Sequence, residues 1–213
     1  MNGERSKPAG RDPRSTTHDP PPGKADIRKQ VLARRDALSA DERRVLSDRI
    51  TARLLGLPAY QEAACVMAYL TFGSELETAA FVADLQARHK RLVLPRVERG
   101  SRMLALREVR DLEHDIESGV WGIRQPRADR GRDASPADID FVLMPGVAFT
   151  RKGARLGYGG GFYDRFIKAL SRRPPLVAAA FELQVLDELP MSDTDQWMDR
   201  IVTESAEYRR GDS

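Results

Sequence analysis

From residue 64 onward, short apolar runs alternate with longer amphipathic stretches, and this alternation limits the fold more than any other feature. Short apolar runs between turn residues indicate buried strands, whereas apolar positions three or four apart indicate a helix packed on one face. The predicted strands are 64–70, 91–97, 103–109, 141–144, 176–181 and 200–203, with helices at 78–90 and 162–171 and a loop at 127–138. Strands alternating with helices predict an α/β fold of three layers, in which a largely parallel sheet lies between helices.

Two further helices are predicted before this region. Helical spacing begins near Asp26, and Ser39 and Glu42 form a capping box that opens a second helix. Pro58 is predicted to end that helix. Residues 1–23 hold five prolines and few apolar side chains, so they cannot bury enough surface to offset their chain entropy. We therefore predict a disordered tail at 1–23, a single domain at 24–207 and a short polar tail at 208–213.

The composition argues against several classes of protein. No apolar run reaches the ~18–20 residues of a membrane helix, and no apolar segment of a secretory signal follows the start. The single cysteine, Cys65, excludes an intramolecular disulfide and fits a reducing compartment. Of the formal charge of +3, most comes from residues 1–24, which hold five bases and three acids, so the remainder lacks the charge of a nucleic-acid module. We expect a cytoplasmic monomer that acts on a small molecule, with neither nucleic acid nor membrane as a partner.

The densest chemical signal is the segment Arg155–Asp164, which we call the glycine segment. Four of the five residues at 157–161 are glycines, so the backbone can take positive φ and approach another molecule closely. The segment follows the predicted strand 141–144 and leads into a helix near Phe162, where free amides and the helix dipole favour anions. It is neither the lysine-terminated phosphate loop nor the dinucleotide fingerprint. The pattern predicts a phosphate site and leaves the ligand open, with Arg155 as a fixed cation beside it.

Acidic residues near this segment admit two interpretations. Asp164 is either a first-turn charge that stabilises the helix dipole or an oxygen ligand for Mg²⁺ beside bound phosphate. Asp195 and Asp199 could supply a second carboxylate, although their spacing alone favours solvated charges.

Three other charged residues are candidates by position. Glu75 follows the first predicted strand, and ligands of open α/β sheets bind at the carboxyl ends of strands. Lys24 and Arg28 share one face of the first helix at i, i+4, which alone would indicate a solvated face. The three histidines lack metal-ligand spacing and no Gly-x-Ser-x-Gly elbow occurs, which argues against zinc chemistry and an α/β-hydrolase.

Taken in chain order, these segments resemble one family. Pro145–Phe149, Gly153 and Arg155–Arg165 are similar to the signature of 5-formyltetrahydrofolate cyclo-ligases, also called methenyltetrahydrofolate synthetases. Further matches are Lys24–Arg28, Tyr69–Thr71, Glu75–Thr78, Leu94–Pro95, Trp121–Pro126, Phe181, Gln184, Asp195, Asp199 and Ile201–Glu204. The similarity covers about residues 24–204.

The resemblance implies a NagB/RpiA-like fold and the ATP- and Mg²⁺-dependent conversion of 5-formyltetrahydrofolate, with or without a polyglutamate tail, to 5,10-methenyltetrahydrofolate. ADP and phosphate are released, and an N-formyl group phosphorylated as an iminium phosphate is the implied intermediate. By motif, ATP contacts would come from Lys24, Ala25, Asp26, Ile27, Arg28, Arg155, Leu156, Gly157, Tyr158, Gly159, Gly160, Gly161, Phe162 and Tyr163. Folate contacts would come from Leu70, Glu75, Tyr158, Gly159, Gly160, Gly161 and Phe162. The implied magnesium ligands are Asp164 and Asp195, and the implied catalytic residues are Arg155 and Tyr163.

This chain departs from the family pattern at three positions. Some members carry a basic residue at 158 and lysine at 160, where this chain has Tyr158 and Gly160, and the usual histidine before Asp195 is Thr194. Three alternatives stay open. One is another phosphate-binding member of the same fold group, such as a sugar-phosphate isomerase or CoA-binding protein. The second is a non-enzymatic offshoot of the family, which should lack Lys24, Arg28 and Glu75. The third is a nucleic-acid binder that acts through the tail, with binding that weakens steeply in salt.

Overall fold

The structure is a computed structural model that describes residues 22–98 and 100–212, so the predicted tail at 1–23 lies almost wholly outside the described residues. Five α-helices are described: α1 Lys24–Asp36, α2 Ala40–Leu55, α3 Pro58–Glu62, α4 Ala79–Ala87 and α5 Phe162–Lys168. The described strands are β1 Cys65–Met67, β2 Arg91–Val97, β3 Leu104–Val109, β4 Ile116–Ser118, β5 Arg124–Pro126, β6 Arg132–Asp133, β7 Phe141–Met144, β8 Ala148–Thr150, β9 Arg155–Leu156, β10 Leu176–Ala179, β11 Val185–Leu186, β12 Arg200–Val202 and β13 Glu207–Arg209.

Eight strands form the main sheet, in the order β13-β12-β10-β7-β1-β2-β3-β6. The five strands from β12 to β2 are parallel, whereas β13 at one edge and β3 and β6 at the other are antiparallel to their neighbours. The sheet is therefore mixed, and the largely parallel arrangement describes only its centre. The edges differ because only short connections separate β2 from β3 and β12 from β13, whereas a parallel crossover needs about a dozen residues or more.

Helices cover both faces of the parallel strands. Alternate strand residues enter two separate cores: Val66 and Phe141 pack with α2, α3 and α4, whereas Met67 and Val142 pack with α5. All four residues of β7 are buried, as expected for a strand covered on both faces. The prediction of an α/β fold in three layers is confirmed.

A small second sheet places α1. Its strand order is β11-β8-β9, and Ile27 and Val31 of α1 pack against Val147, Ala148 and Leu156 beside it. The first helix therefore lies on the strand that opens the glycine segment rather than on the main sheet. This packing brings the start of the domain to Arg155 and its neighbours.

Several sequence predictions needed correction. The capping box at Ser39 and Glu42 is present, but α2 ends at Leu55, and Pro58 begins the short α3 instead of only ending α2. Strand β1 covers three residues of the predicted 64–70, and the predicted loop 127–138 contains β6 and a 3₁₀ turn.

The predicted boundary at residue 207 falls inside β13, which pairs with β12 over Glu207–Arg209. This edge strand is short and polar, so it lacks the apolar pattern that marks a buried strand. Within residues 22–98 and 100–212, no helix is both long enough and apolar enough to cross a membrane.

Candidate active site

A cleft of about 790 Å³ opens at the carboxyl ends of the central strands. Tyr69 and Leu70 reach it from beyond β1, Leu94 and Pro95 from β2, and Pro145 from beyond β7. This edge of a parallel sheet is where α/β folds bind ligands, because the loops that follow the strands diverge there. The start of α1 and the whole glycine segment also line the cleft.

Within the glycine segment, the chain passes from β9 to α5 through backbone conformations that residues other than glycine rarely adopt. Gly159 has φ of 102° and Gly161, the residue before α5, has φ of 65°. A Cβ at Gly157 would lie 2.8 Å from Nη1 of Arg155, so glycine lets the chain pass close to that guanidinium. The predicted conformational need for glycine is met at these positions, although α5 ends at Lys168 and is shorter than predicted.

Arg155 is a buried cation that lines the cleft, with only 3% of its side chain exposed. Its Nη1 donates to the Pro145 carbonyl at 3.1 Å, and its Nη2 donates to Oδ1 of Asp164 at 2.9 Å. Its Nε is buried without a hydrogen-bond partner among the described residues. The guanidinium carbon also lies 6.0 Å from the centre of the Tyr163 ring, within range of a cation–π contact.

Each of the two predicted magnesium ligands has one oxygen that accepts no hydrogen bond from the described residues. Oδ1 of Asp164 accepts from Arg155 and from the Gln196 amide, and Oδ2 of Asp195 accepts from Lys24 and from the Ser192 amide. Asp164 Oδ2 and Asp195 Oδ1 accept no hydrogen bond from the part of the chain that the structure describes. Burial disfavours ionised Asp195, but the hydrogen bonds from Lys24 and Ser192 outweigh it and hold the pKa below its ordinary value.

This donor set fits Mg²⁺ bound together with phosphate. Mg²⁺ is usually held by one or two carboxylates plus substrate phosphates and water, rather than by a complete protein cage. Residues 22–98 and 100–212 contain no group of three or more His, Cys, Asp or Glu side chains that could hold a metal alone.

Lys24 and Arg28 lie in the cleft wall and not on a solvated helix face. Nζ of Lys24 lies 2.5 Å from Oδ2 of Asp195, and Nε of Arg28 donates to the Gly157 carbonyl at 2.7 Å. Both contacts join α1 to segments more than a hundred residues away, and both leave N–H groups for an anion. The residues between them differ: Ala25, Asp26 and Ile27 do not line the cleft, and Ile27 is buried against the small sheet.

Glu75 is a buried carboxylate that lines the cleft next to Tyr158 of the glycine segment, and it is 7% exposed. Its Oε2 accepts from the Phe72 amide at 3.1 Å, and its Oε1 accepts from the Tyr158 hydroxyl. Burial raises the pKa of Glu75, while the contacts with Tyr158, Arg35 and Phe72 oppose that rise. The structure therefore joins the two candidates Glu75 and Tyr158, which lie 83 residues apart in the chain.

Two tyrosines add hydroxyl groups to the cleft. Tyr69 and Tyr163 line it, and neither hydroxyl has a hydrogen-bond partner within the described ranges. Burial raises the pKa of Tyr163 and of Tyr69, so both stay protonated and can donate. The sequence predicts Tyr163 as a catalytic residue, whereas Tyr69 enters only as part of the matching segment Tyr69–Thr71.

Sequence reasoning also missed most of the apolar wall and a basic rim of the cleft. The apolar residues are Phe72, Val97, Leu104, Val120 and Ile123, and the basic ones are Arg124, Arg165 and Lys168. The available signals were weak, since only the family matches at Leu94–Pro95, Trp121–Pro126 and Arg155–Arg165 pointed toward this region. Leu70, Leu156, Gly160 and Phe162, which were candidates, line the cleft with the other residues of the glycine segment.

Comparisons with known proteins agree on one family. Residues 21–204 match the model of the 5-formyltetrahydrofolate cyclo-ligase family. The 5-formyltetrahydrofolate cyclo-ligase of Mus musculus is 27% identical over 191 residues, which cover 86% of this chain and 94% of that protein. The protein of that name from Escherichia coli (strain K12) is 29% identical over 177 residues, covering 82% and 97%.

Solved structures give the same result. The NMR structure of Aquifex aeolicus 5,10-methenyltetrahydrofolate synthetase superposes with a TM-score of 0.78 at 34% identity, covering 89% of this chain and 94% of that one. A 5,10-methenyltetrahydrofolate synthetase from Mycoplasma pneumoniae superposes with a TM-score of 0.69 at 26% identity, covering 85% and 98%.

Proposed function

The chain is an enzyme of the 5-formyltetrahydrofolate cyclo-ligase family, and on that premise we propose that it cyclises 5-formyltetrahydrofolate to 5,10-methenyltetrahydrofolate with conversion of ATP to ADP and phosphate. One observation carries the assignment to this cleft. Cations from the first helix, a buried carboxylate beyond β1 and the glycine segment, all distant in sequence, line the same cavity. ATP and folate are both substrates of the proposed reaction.

The chemistry explains why a nucleotide is needed. The oxygen of the N5-formyl group is a poor leaving group and must first be activated. It attacks the γ-phosphorus of ATP, which forms an O–P bond and releases ADP. The product is an iminium phosphate, in which N5 carries a positive charge and the formyl carbon is electrophilic. N10 then attacks that carbon, loses its proton, and the C–O bond breaks with phosphate taking the electron pair. Such phosphoryl transfer needs positioning and charge neutralisation more than covalent help from the protein.

The nucleotide side of the proposed site is the cationic wall. Lys24, Arg28 and Arg155 place three positive charges at the glycine segment, and the backbone there can approach a phosphate because four of the five residues at 157–161 are glycines. Asp164 and Asp195 would hold Mg²⁺ through their unpartnered oxygens, and the ion would supply charge neutralisation at the phosphates. The buried Nε of Arg155 is a further donor beside this region.

The folate side of the proposed site is the wall around Glu75. A pterin ring is flat and apolar on its faces, with N–H donors and acceptors on its edge. The surface formed by Leu70, Leu94 and Pro95 suits those faces, and the carboxylate of Glu75 suits the donors. The hydroxyls of Tyr69 and Tyr163 can donate to carbonyl oxygens of the substrate.

The assay follows absorbance at the methenyl-folate band with the full chain, 5-formyltetrahydrofolate, ATP and Mg²⁺. We expect product to form with one ADP released per molecule, and to stop when ATP is omitted or EDTA is added. Asp164→Asn should raise the Mg²⁺ concentration needed for half-maximal rate, whereas Asp193→Asn, an exposed acid near Asp195, should not. No cyclisation under any condition would contradict the proposal. A sugar-phosphate isomerase of similar fold would act without a nucleotide. Isomerisation of a sugar phosphate in the absence of ATP would therefore favour that alternative.

We also propose a monomer that works in the cytoplasm. Cys65 is a free, buried thiol, which fits a reducing compartment. Burial raises its pKa to about 11, so the thiol is unreactive and does not form disulfides. Light scattering during gel filtration measures the mass directly, and cell fractionation measures the location.

A further inference from the structure

Arg35 is a buried cation of α1 that the proposed reaction does not use directly. Only 3% of the residue is exposed, and its guanidinium forms no ion pair with a carboxylate in the described part of the chain. Burial of a charge is unfavourable unless polar partners compensate for the lost water. Its partners are two hydroxyls: Nε donates to Oγ of Ser74 at 3.0 Å, and Nη2 donates to the Tyr158 hydroxyl at 3.0 Å.

The Tyr158 hydroxyl connects Arg35 to Glu75. A guanidinium can only donate and an ionised carboxylate can only accept, so the hydroxyl accepts from Arg35 and donates to Glu75. The direction of both hydrogen bonds is therefore fixed. Since Oε2 of Glu75 is held by the Phe72 amide, the carboxylate that faces the cleft has a single orientation.

Tyr158 needs such support because little else holds it. The residue is 48% exposed and lies between Gly157 and Gly159, the second with φ of 102°. Glycines on both sides leave the backbone free to rotate. The Arg35 guanidinium carbon lies 5.9 Å from the centre of the Tyr158 ring, so it contacts the ring as well as the hydroxyl.

Arg35 is itself fixed to the loop that carries Glu75. Oγ of Ser74 accepts from Arg35 and donates to Oδ1 of Asp36, so the end of α1 and the loop before Glu75 share one network. Arg35 therefore joins three parts of the cleft: the first helix, the loop after β1 and the glycine segment.

We propose that Arg35 is a positioning residue of the folate site, which holds the Tyr158 hydroxyl so that Tyr158 and Glu75 present one fixed polar surface to the pterin. The inference rests on the proposed function, because the folate is the ligand of that surface. Arg35 does not touch the folate and acts through Tyr158. Its loss should therefore weaken folate binding and leave ATP binding, on the wall of Lys24 and Arg28, nearly unchanged.

The test compares Arg35→Met, Tyr158→Phe and the double variant with the wild type. We measure KM for 5-formyltetrahydrofolate, KM for ATP, kcat and the melting temperature. Loss of one hydrogen bond to a charged group weakens binding about 10-fold or more. Arg35→Met and Tyr158→Phe should therefore each raise the folate KM about 10-fold, while the ATP KM changes less than about twofold. The double variant should be no worse than the worse single variant, because both changes break the same connection. Arg34→Met, an exposed arginine next in the chain, is the matched control and should behave as wild type.

Several results would overturn the inference. These are effects that add in the double variant, an equal rise of both KM values, or a wild-type folate KM in the folded Arg35→Met protein. If Arg35→Met does not fold, Arg35→Lys takes its place in the same cycle, because one ammonium cannot bridge Ser74 and Tyr158 as the guanidinium fork does. Failure of the proposed function is separate, since then the wild type itself would not cyclise the folate.

Discussion

Glu75 shows how a binding residue can reduce the stability of the protein that contains it. Its carboxyl is buried and faces Arg35 together with the hydroxyls of Tyr69, Tyr158 and Tyr163, of which only Tyr158 donates to it. The Tyr158 phenol, the Phe72 amide and the Arg35 cation beyond them do not fully replace water. The carboxylate is thus held ready for donors that a ligand brings, at a cost to the unliganded fold.

The pKa of Glu75 gives a prediction with a definite sign. Burial raises it above the ordinary value of 4.5, so the folded protein binds this proton more tightly than the unfolded chain. The stability from this group is fully present below the unfolded pKa and is lost as the pH rises through the folded pKa. In Glu75→Gln that loss is absent, so the melting temperature of the variant relative to wild type should increase as the pH rises above the ordinary value of 4.5.

The same variant should lose folate binding. A neutral amide replaces the acceptor of the pterin donors, and we expect the folate KM to rise about 10-fold or more with the ATP KM nearly unchanged. Glu77→Gln, two residues along and half-buried, is the control for both measurements. A pH-independent difference in melting temperature, or an effect on ATP alone, would contradict this interpretation of Glu75.

At the scale of elements, the glycine segment combines function with a backbone conformation that only glycine adopts easily. Gly159 has φ of 102°, and a Cβ there would lie 3.6 Å from the Arg28 guanidinium carbon, an ordinary contact. The cost of alanine at this position is therefore conformational and not steric, about 1–3 kcal/mol. Because Arg28 donates to the Gly157 carbonyl, a shift of this backbone should also move the cationic wall.

We predict that Gly159→Ala lowers the stability and also raises the ATP KM. Gly100 provides the matched control, because it has φ of 83°, nothing within 4 Å of its Cβ position and a place in the turn between β2 and β3. Gly100→Ala should lose a similar amount of stability in urea unfolding but keep the ATP KM. Equal ATP kinetics in the two variants would show that the conformation of Gly159 does not matter for the nucleotide.

Elements whose pattern lies in neighbouring residues were predicted well from the sequence. The capping box at Ser39, the seven-residue strand β2 and the buried run of β7 were all identified from neighbouring residues. Strands β8, β9 and β11 were missed because each has two or three residues, too few to show a period. That small sheet is what seats α1 against the glycine segment, so its absence from the prediction hid the reason for the position of Lys24.

At the scale of the molecule, the sequence predicted which residues belong to the site but not the contacts between them. Strand-end logic placed Glu75 at the cleft, and the glycine content marked residues 157–161. Burial of Arg35 could not be predicted, because its partners Ser74 and Tyr158 are brought to it by different elements. The contact between Lys24 and Asp195, 171 residues apart, likewise depends on how α1 folds back on the small sheet.

That return of α1 gives a prediction about the start of the chain. Gly23 precedes α1, its carbonyl accepts from the Ile27 amide at 3.1 Å, and the family match begins at residue 21. Removal of residues 1–21 should therefore leave kcat and both KM values nearly unchanged. Binding of nucleic acid through this segment, lost on truncation and weakened steeply by salt, would contradict the view that the segment has no partner.

Lys24 and Arg28 should instead be required for use of ATP. A charge-assisted contact contributes about 1.5–3 kcal/mol, so Lys24→Ala should raise the ATP KM roughly 10- to 100-fold, with the folate KM little changed. Adding Arg28→Ala should cost more but less than the sum, since both cations would meet one ligand. Lys29→Ala, an exposed lysine of the same helix, should leave ATP kinetics as in the wild type.

Circular dichroism must show the same helix content in every variant, because Ile27 and Val31 of the same helix pack α1 on the small sheet. A folded double variant with a normal ATP KM would show that the pair only anchors α1 to Asp195 and Gly157.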